Sequence, residues 1–200
     1  MSELAISRAT LATTLWPVHG RAQAWTHGVI LAIAGSLVLT VSAKVHIPFW
    51  PVPMTLQTLA VLVIGMAYGP RLGGATLLLY LAEGAIGLPV FSGTPERGIG
   101  LAYLVGPTGG YLVGFMLAAA LVGVLAERGW DRSPVTAAGA MVAGNLAIYV
   151  CGVAWLGTVI GYEGAWSAGV EPFLLGDGIK IVLGTALLPA CWKFLGNRRS

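Results

Sequence analysis

The chain has 200 residues, of which 56% are hydrophobic and 10% are charged, and its formal net charge is +3. Soluble domains carry roughly 25% charged residues, and a mean hydropathy of +0.82 leaves too little polar surface to cover a water-soluble fold. The basic residues form no patch but lie at the ends of apolar segments, which excludes the usual nucleic-acid-binding surface and is typical of a membrane protein.

Apolar runs bounded by Pro, Gly and charged residues follow one another along the chain. They cover Thr26–Ala43, Met54–Tyr68, Leu72–Leu88, about Thr108–Ala126, Val135–Ile160 and Phe173–Leu195. A hydrocarbon core roughly 30 Å thick takes about 20 helical residues per span. The pattern predicts an all-α integral membrane bundle of six transmembrane helices in residues 25–200, preceded by a cytoplasmic or interfacial arm in residues 1–24.

The Lys and Arg residues indicate how these helices are oriented. Six spans place on one side Arg8, Arg21, Arg71, Arg128, Arg132, Lys193, Arg198 and Arg199. The other side receives Lys44 and Arg97, while Lys180 lies within a span. Because basic residues concentrate in cytoplasmic loops, this distribution predicts that both termini are cytoplasmic.

Small residues recur at every fourth position in two of the spans. These ridges are Gly28, Ala32, Ser36 and Thr40 in the first span and Gly110, Gly114 and Ala118 in the fourth. A ridge of small side chains lets another helix approach closely. The approaching helix could belong to this chain or to another subunit, and the pattern leaves both open.

Glu83 is an acidic residue near the predicted outer end of the third span. It could line a cavity, carry a proton, or form a hydrogen bond to a neighbour as a neutral carboxyl group. The outer loop that follows, Pro89–Pro107, is rich in Gly and Pro. Such a composition suits a lid that folds over a site, and it equally suits a plain surface connection.

Asp177 and Lys180 lie three residues apart inside the sixth apolar run. On a helix this spacing places both side chains on one face, one turn apart. Ionisable groups at membrane depth are costly and are therefore usually functional. We expect the pair to form the floor of an outward-facing ligand pocket, the alternative being a structural ion pair between two helices.

Motifs of ordinary catalysis are absent from the sequence. It contains no Walker phosphate loop, no nucleophile elbow and no HExxH motif. His19, His27 and His46 do not cluster at metal-ligand spacing. We therefore predict that the protein is not an enzyme and needs neither a metal ion nor another cofactor.

Several short motifs between residues 51 and 180 together resemble one protein family. They are Pro51-Val52-Pro53-Met54-Thr55-Leu56-Gln57-Thr58, Gly69-Pro70-Arg71-Leu72-Gly73, Gly87-Leu88-Pro89-Val90-Phe91-Ser92-Gly93, Gly106-Pro107-Thr108-Gly109-Gly110-Tyr111 and Gly176-Asp177-Gly178-Ile179-Lys180. In order and spacing these motifs resemble the BioY proteins, the biotin-specific substrate-binding (S) components of energy-coupling factor (ECF) transporters.

The resemblance implies a multi-pass protein of the bacterial cytoplasmic membrane that captures biotin from outside. It also implies association with a transmembrane coupling subunit and a pair of cytoplasmic ATPases. In the family, the small-residue ridge of the first helix is the docking surface for the coupling subunit. The corresponding residues in this chain are Gly28, Ala32 and Ser36.

The resemblance also implies a set of substrate contacts. These are Asp177, Lys180, Arg97 and Gly98, with Tyr111 and Gln57 as secondary candidates and Glu83 as a residue that could line the cavity. This chain has Leu112 where some family members carry an arginine suited to the carboxylate of biotin. The carboxylate would then fall to Lys180 or Arg97.

Two other classes of function compete with this interpretation. The first is a proton-coupled small-molecule carrier that acts alone, with Glu83 or Asp177 as its proton site. The second is a membrane-embedded enzyme acting on lipid, which would need a nucleophile or a metal ion at the interface. The sequence offers neither of these.

Overall fold

The structure, a computed structural model, describes residues 9–17, 20–48 and 50–197, and these are mostly helical. The helices are α1 (Leu11–Leu15), α2 (Arg21–Lys44), α3 (Gln57–Ala85), α4 (Leu101–Leu104), α5 (Gly109–Glu127), α6 (Pro134–Ile160), α7 (Tyr162–Gly169) and α8 (Leu174–Asn197), with a 3₁₀ turn at Glu171–Phe173. Two short strands, β1 (His46–Ile47) and β2 (Met54–Thr55), pair antiparallel between α2 and α3.

Several helical segments are long and apolar enough to cross a membrane. Within the described part of the chain there are, by length and composition, 5 of them, Arg21–Lys44, Gln57–Ala85, Gly109–Glu127, Pro134–Ile160 and Tyr162–Gly196. They confirm the prediction of a helical membrane bundle. Most of the two spans predicted at 54–68 and 72–88 lies within α3.

Helix α3 is interrupted at Gly69, where φ is 80° and ψ is 174°. The next residue is Pro70, which cannot donate a backbone hydrogen bond. Only glycine adopts such a backbone conformation without strain. The chain therefore reverses here, and α3 is a hairpin of two helical arms.

The reversal is visible in contacts between the two arms of α3. Gln57 Nε2 donates a hydrogen bond of 2.7 Å to the Tyr80 hydroxyl group. In a straight helix with ~1.5 Å of rise per residue these side chains would lie roughly 35 Å apart. The arms before and after Gly69 therefore run antiparallel to one another.

The centre of the bundle is α5, which packs between α3 and α6. Its buried face includes Gly110, Gly114 and Ala118, the ridge predicted in the fourth span. A Cβ atom added at Gly114 would lie 2.8 Å from the Cα atom of Ile148 in α6. The absence of a side chain thus lets α5 and α6 approach closely, and this ridge serves packing within the chain.

The small-residue ridge of α2 also faces the interior of this chain. Gly28 lies opposite Leu72 of α3. Ser36 is buried and donates a hydrogen bond to the carboxylate of Glu83, which is also on α3. Gly28 and Ala32 are half-buried. The more exposed face of α2 carries branched apolar residues such as Ile33 and Val41.

One end of the bundle gathers the turn at Gly69, the end of α5 and the end of α8. A Cβ atom at Gly69 would lie 3.6 Å from the Glu127 carboxylate, so the hairpin turn contacts the end of α5. At the same end the Arg132 guanidinium group lies over the Trp192 ring, 4.7 Å from its centroid. Arg71 and Arg132 therefore lie at the same end.

The opposite end of the bundle carries the loop between α3 and α5. The ammonium group of Lys44 donates to the carbonyl oxygens of Phe91 and Thr94 at 2.9 and 3.2 Å, and to the Thr94 hydroxyl group at 3.0 Å. Arg97 donates to the carbonyl oxygen of Pro51 at 3.4 Å. These contacts fix the loop against the end of α2 and the segment before α3.

The described part of the predicted arm begins at residue 9. Helix α1 is capped by Thr10 and buries Leu11 and Ala12 against the bundle. Thr10 lies beside the Gly69 turn. Residues 1–8, which include Arg8, lie outside the described part of the chain, as do His19, Arg198 and Arg199.

Replacing Gly69 tests the hairpin geometry. We expect Gly69→Ala to lower the free energy of unfolding by about 1–3 kcal/mol, because alanine is strained at this φ and ψ. The matched control is Gly74→Ala, in the same helix, where a Cβ atom would meet nothing within 4 Å. Thermal unfolding in detergent measures both variants, and equal midpoints would contradict the assigned conformation.

Candidate functional site

A cavity lies between the ends of α3, α5 and α8 and the middle of α6, beneath the loop between α3 and α5. The residues that line this central cavity are Val52, Pro53, Thr55, Gln57, Thr58, Ser92, Tyr103, Thr108, Tyr111, Leu112, Phe115, Ile148, Tyr149, Phe173, Asp177 and Lys180. Its volume is about 50 Å³. Ligand pockets usually measure ~300–1,000 Å³, so this conformation is contracted.

Asp177 and Lys180 face this cavity from the first turns of α8. Their side chains are buried, and Lys180 Nζ lies 2.8 Å from Asp177 Oδ1. The spacing of three residues thus gives an ion pair on one helix face. A buried charge without a partner would be costly, so each group makes the other tolerable in the bundle.

Thr58 and Tyr149 form further hydrogen bonds with this pair. The Thr58 hydroxyl group donates to Asp177 Oδ1 at 3.1 Å and accepts from Lys180 Nζ at 2.9 Å. The Tyr149 hydroxyl group donates to Asp177 Oδ2 at 2.5 Å. Both carboxylate oxygens are therefore engaged, and the network joins α3, α6 and α8.

Neither Thr58 nor Tyr149 was predicted from the sequence, although the sequence contains a signal for each. Thr58 is the residue after Gln57, inside the first quoted motif. Tyr149 is a phenol group in the middle of a long apolar run. A polar aromatic residue at that depth needs a hydrogen-bond partner, and Asp177 provides it.

Gln57 and Tyr111, which the family resemblance implies as secondary substrate contacts, line the central cavity. Gln57 Nε2 is committed to Tyr80, which leaves its carbonyl oxygen as the acceptor it can offer to a ligand. The Tyr111 hydroxyl group donates to the carbonyl oxygen of Gly169 at 2.8 Å, so this side chain also fixes the end of α7.

The roof of the cavity comes from the loop between α3 and α5. Ser92, Tyr103 and Thr108 reach the cavity from this loop. The Tyr103 hydroxyl group donates to the carbonyl oxygen of Ser92 at 2.8 Å, and its ring stacks on Phe91. Burial raises the pKa of Tyr103, so its phenol group remains a neutral donor.

The structure does not bring every predicted contact to the central cavity. Arg97 is exposed and lies in a neighbouring recess beside Pro51, while Gly98 adopts a φ of 96° in the loop. Neither residue lines the cavity, so their contact with a ligand stays a prediction.

Glu83 lies away from the central cavity, in the contact between α2 and α3. Its carboxylate accepts the hydrogen bond from Ser36. Of the roles open to Glu83 from the sequence, the structure shows the hydrogen bond to a neighbour. Among the residues that the structure describes, no group of three or more His, Cys, Asp or Glu could hold a metal ion.

Most of the chain is similar to proteins that are already known. The family model described as the BioY family matches residues 10–197. The biotin transporter BioY of Thermotoga maritima is 39% identical over 150 residues, which cover 74% of this chain and 86% of that protein. A probable biotin transporter BioY of Pyrococcus horikoshii is 37% identical over 141 residues, which cover 70% of this chain and 81% of that protein.

The fold resembles that of a solved structure. The crystal structure of the S-component for biotin from an ECF-type ABC transporter superposes with a TM-score of 0.70. The match covers 88% of this chain and 95% of that chain at 23% sequence identity. The two proteins share the fold of the membrane bundle.

Removing the hydroxyl group of Tyr149 tests the network around Asp177. A hydrogen bond to a charged group contributes about 1.5–3 kcal/mol, so we expect Tyr149→Phe to lower the unfolding free energy of ligand-free protein by that amount. The control is Tyr162→Phe, since Tyr162 is 65% exposed. Equal stability of the two variants in detergent would show that the contact with Asp177 contributes nothing.

Proposed function

The chain belongs to the BioY family, and we propose that it is the substrate-capture component of a biotin uptake transporter, with biotin held in the central cavity. One observation carries this proposal. The buried ion pair of Asp177 and Lys180 opens into a cavity with otherwise mainly apolar walls. Such a pair can separate to meet a ligand that has both hydrogen-bond donors and an anionic or carbonyl group.

Biotin has the chemistry that this site can satisfy. Its ureido ring offers two N–H donors and one carbonyl acceptor, and its side chain ends in a carboxylate. The Asp177 carboxylate accepts the ureido N–H groups, while the Lys180 ammonium group meets a carbonyl oxygen or the carboxylate. Phe115, Ile148 and Phe173 provide apolar contact for the sulfur-containing ring.

Binding requires the contracted cavity to enlarge. A volume of about 50 Å³ does not admit a fused bicyclic ligand with its side chain. The segments that can yield are in the roof, which is irregular between residues 86 and 108 apart from α4. Arg97 and Gly98 belong to this roof, and hydrogen bonds from Lys44 and Arg97 hold it in place. When the roof opens, Arg97 comes within reach of the carboxylate of biotin.

The bundle crosses the bacterial cytoplasmic membrane six times with both termini in the cytoplasm. The hairpin of α3 supports this count, because each of its arms then makes one crossing. The basic residues support the orientation, because Arg71, Arg132 and the end of α8 lie at one end and Lys44 and Arg97 at the other. The central cavity lies toward the end with fewer basic residues and faces outward.

Release of biotin into the cytoplasm depends on partner proteins. The solved neighbour is named as an S-component of an ECF-type ABC transporter, which supports association with a membrane-embedded coupling subunit and an ATPase pair. We place the docking surface on α2, which lies at the edge of the bundle. The partner would reach Gly28 and Ala32 at the half-exposed edge of the ridge, whereas Ser36 acts from beneath it through Glu83.

Substitution of the ion pair tests the proposed function. We expect Asp177→Asn and Lys180→Ala each to weaken biotin binding about tenfold or more, since each removes a charge-assisted hydrogen bond worth ~1.5–3 kcal/mol. Equilibrium binding of radiolabelled biotin to detergent-purified protein measures the effect. The controls are Glu163→Gln and Arg71→Ala, which remove exposed charges outside the cavity.

Size-exclusion profiles show whether the variants remain folded. Unchanged affinity in both folded variants would mean that the pair is purely structural. Absence of biotin binding by the wild type would overturn the proposed function itself.

A further inference from the structure

A second concave surface lies between α6 and α8, at the end of the bundle opposite the central cavity. This groove measures about 980 Å³ and extends along α8 from Ile181 to Lys193. Small side chains form part of it, with Ala138 on one wall and Ala186 and Ala190 on the other. Its surface faces outward from the bundle, where a membrane protein meets lipid.

One end of the groove is cationic. Arg132 and Lys193 line it there, and both side chains are exposed. The Arg132 guanidinium group is held over the ring of Trp192, 4.7 Å from the centroid. None of the described residues that line the groove is acidic.

The neighbouring acid, Asp131, is withdrawn from this surface. It has no exposed area, and its Oδ2 atom accepts a hydrogen bond of 2.6 Å from Trp192 Nε1. Burial raises the pKa of the Asp131 carboxyl group, while its hydrogen bond to Trp192 and the nearby Arg132 act in the opposite direction. The hydrogen bond to Asp131 therefore orients the Trp192 ring on which Arg132 lies. Because the Asp131 side chain is buried, the exposed charges at the mouth of the groove are those of Arg132 and Lys193.

The dimensions of the groove match one leaflet of a bilayer. The distance along α8 from Ile181 to Lys193 is about 18 Å at ~1.5 Å per residue, close to half of a hydrocarbon core ~30 Å thick. The cationic end coincides with the end of the bundle that carries the arginine-rich turns, at the level of the headgroups. An apolar channel of this length with two cations at its mouth fits a single phospholipid.

We propose that this groove binds one anionic phospholipid, with the phosphate at Arg132 and Lys193 and an acyl chain along Ala138, Ala186 and Ala190. Charge complementarity selects a lipid with a net negative headgroup over a zwitterionic one. The lipid would fill the space between α6 and α8 and brace the helix that carries Asp177 and Lys180. Binding of the lipid in this groove does not depend on which molecule the central cavity holds.

Native mass spectrometry of the full chain in detergent tests the proposal, with phosphatidylglycerol and phosphatidylcholine of identical chains as probes. We expect one phosphatidylglycerol to be retained, with a preference over phosphatidylcholine on the order of 25-fold for two cations near the surface. Arg132→Gln/Lys193→Gln should abolish most of this preference. Ala186→Phe, which fills the groove without changing charge, should reduce retention of the lipid.

The matched control is Arg21→Gln/Arg71→Gln, which removes two exposed cations elsewhere and should keep the preference. Biotin binding reports that each variant is folded, and if the wild type binds no biotin the proposed function fails while the lipid measurement still stands. Equal retention of both lipids by the wild type would overturn the proposal, leaving non-selective annular lipid. Equal loss of preference in the two double variants would overturn it too, and a helix of a partner protein would then be the better occupant.

Discussion

The structure depends on keeping two opposite charges inside an apolar helical bundle. An isolated carboxylate or ammonium group would be too costly at this depth, so Asp177 and Lys180 neutralise one another at 2.8 Å. Thr58 and Tyr149 add hydrogen bonds to this pair from α3 and α6. Three helices therefore have to meet at one point, and the central cavity lies where they do.

Such a network also suits reversible binding. An ion pair that merely tied helices together would contribute little net stability, because desolvation offsets most of its attraction. A ligand that offers a hydrogen-bond donor to Asp177 and an acceptor to Lys180 replaces the attraction between these two groups, and it leaves neither charge buried without a partner. Once the pair has separated, an analogue that lacks the matching polar groups would leave Asp177 or Lys180 unsatisfied, so we expect the site to bind it weakly. The contracted cavity and the secured roof fit this exchange.

Sequence patterns predicted the parts of this architecture that hydropathy and spacing determine. Long apolar runs gave the membrane helices, and the interval from Asp177 to Lys180 gave a pair on one face. The hairpin at Gly69 followed from Gly-Pro-Arg at the boundary between two short runs. These features are local, so they can be inferred without knowledge of tertiary contacts.

Features that arise from tertiary packing could not be predicted in the same way. Thr58 and Tyr149 join Asp177 only because α3, α6 and α8 converge, and no spacing along the chain encodes that convergence. The hydrogen-bond partner of Glu83 could not be predicted either, since Ser36 lies on another helix. Small residues at regular spacing predicted close approach of helices, but only the folded chain shows that α3 packs on one ridge and α6 on the other.

The most direct measurement compares the affinity of biotin with that of a biotin methylated on a ureido nitrogen, in the wild type and in Asp177→Asn. If the Asp177 carboxylate accepts the ureido N–H groups, the wild type should prefer biotin on the order of 100-fold, and the variant by about tenfold or less. An equal preference in both proteins would show that the carboxylate does not contact the ureido ring, and the central role given to the buried pair would be wrong.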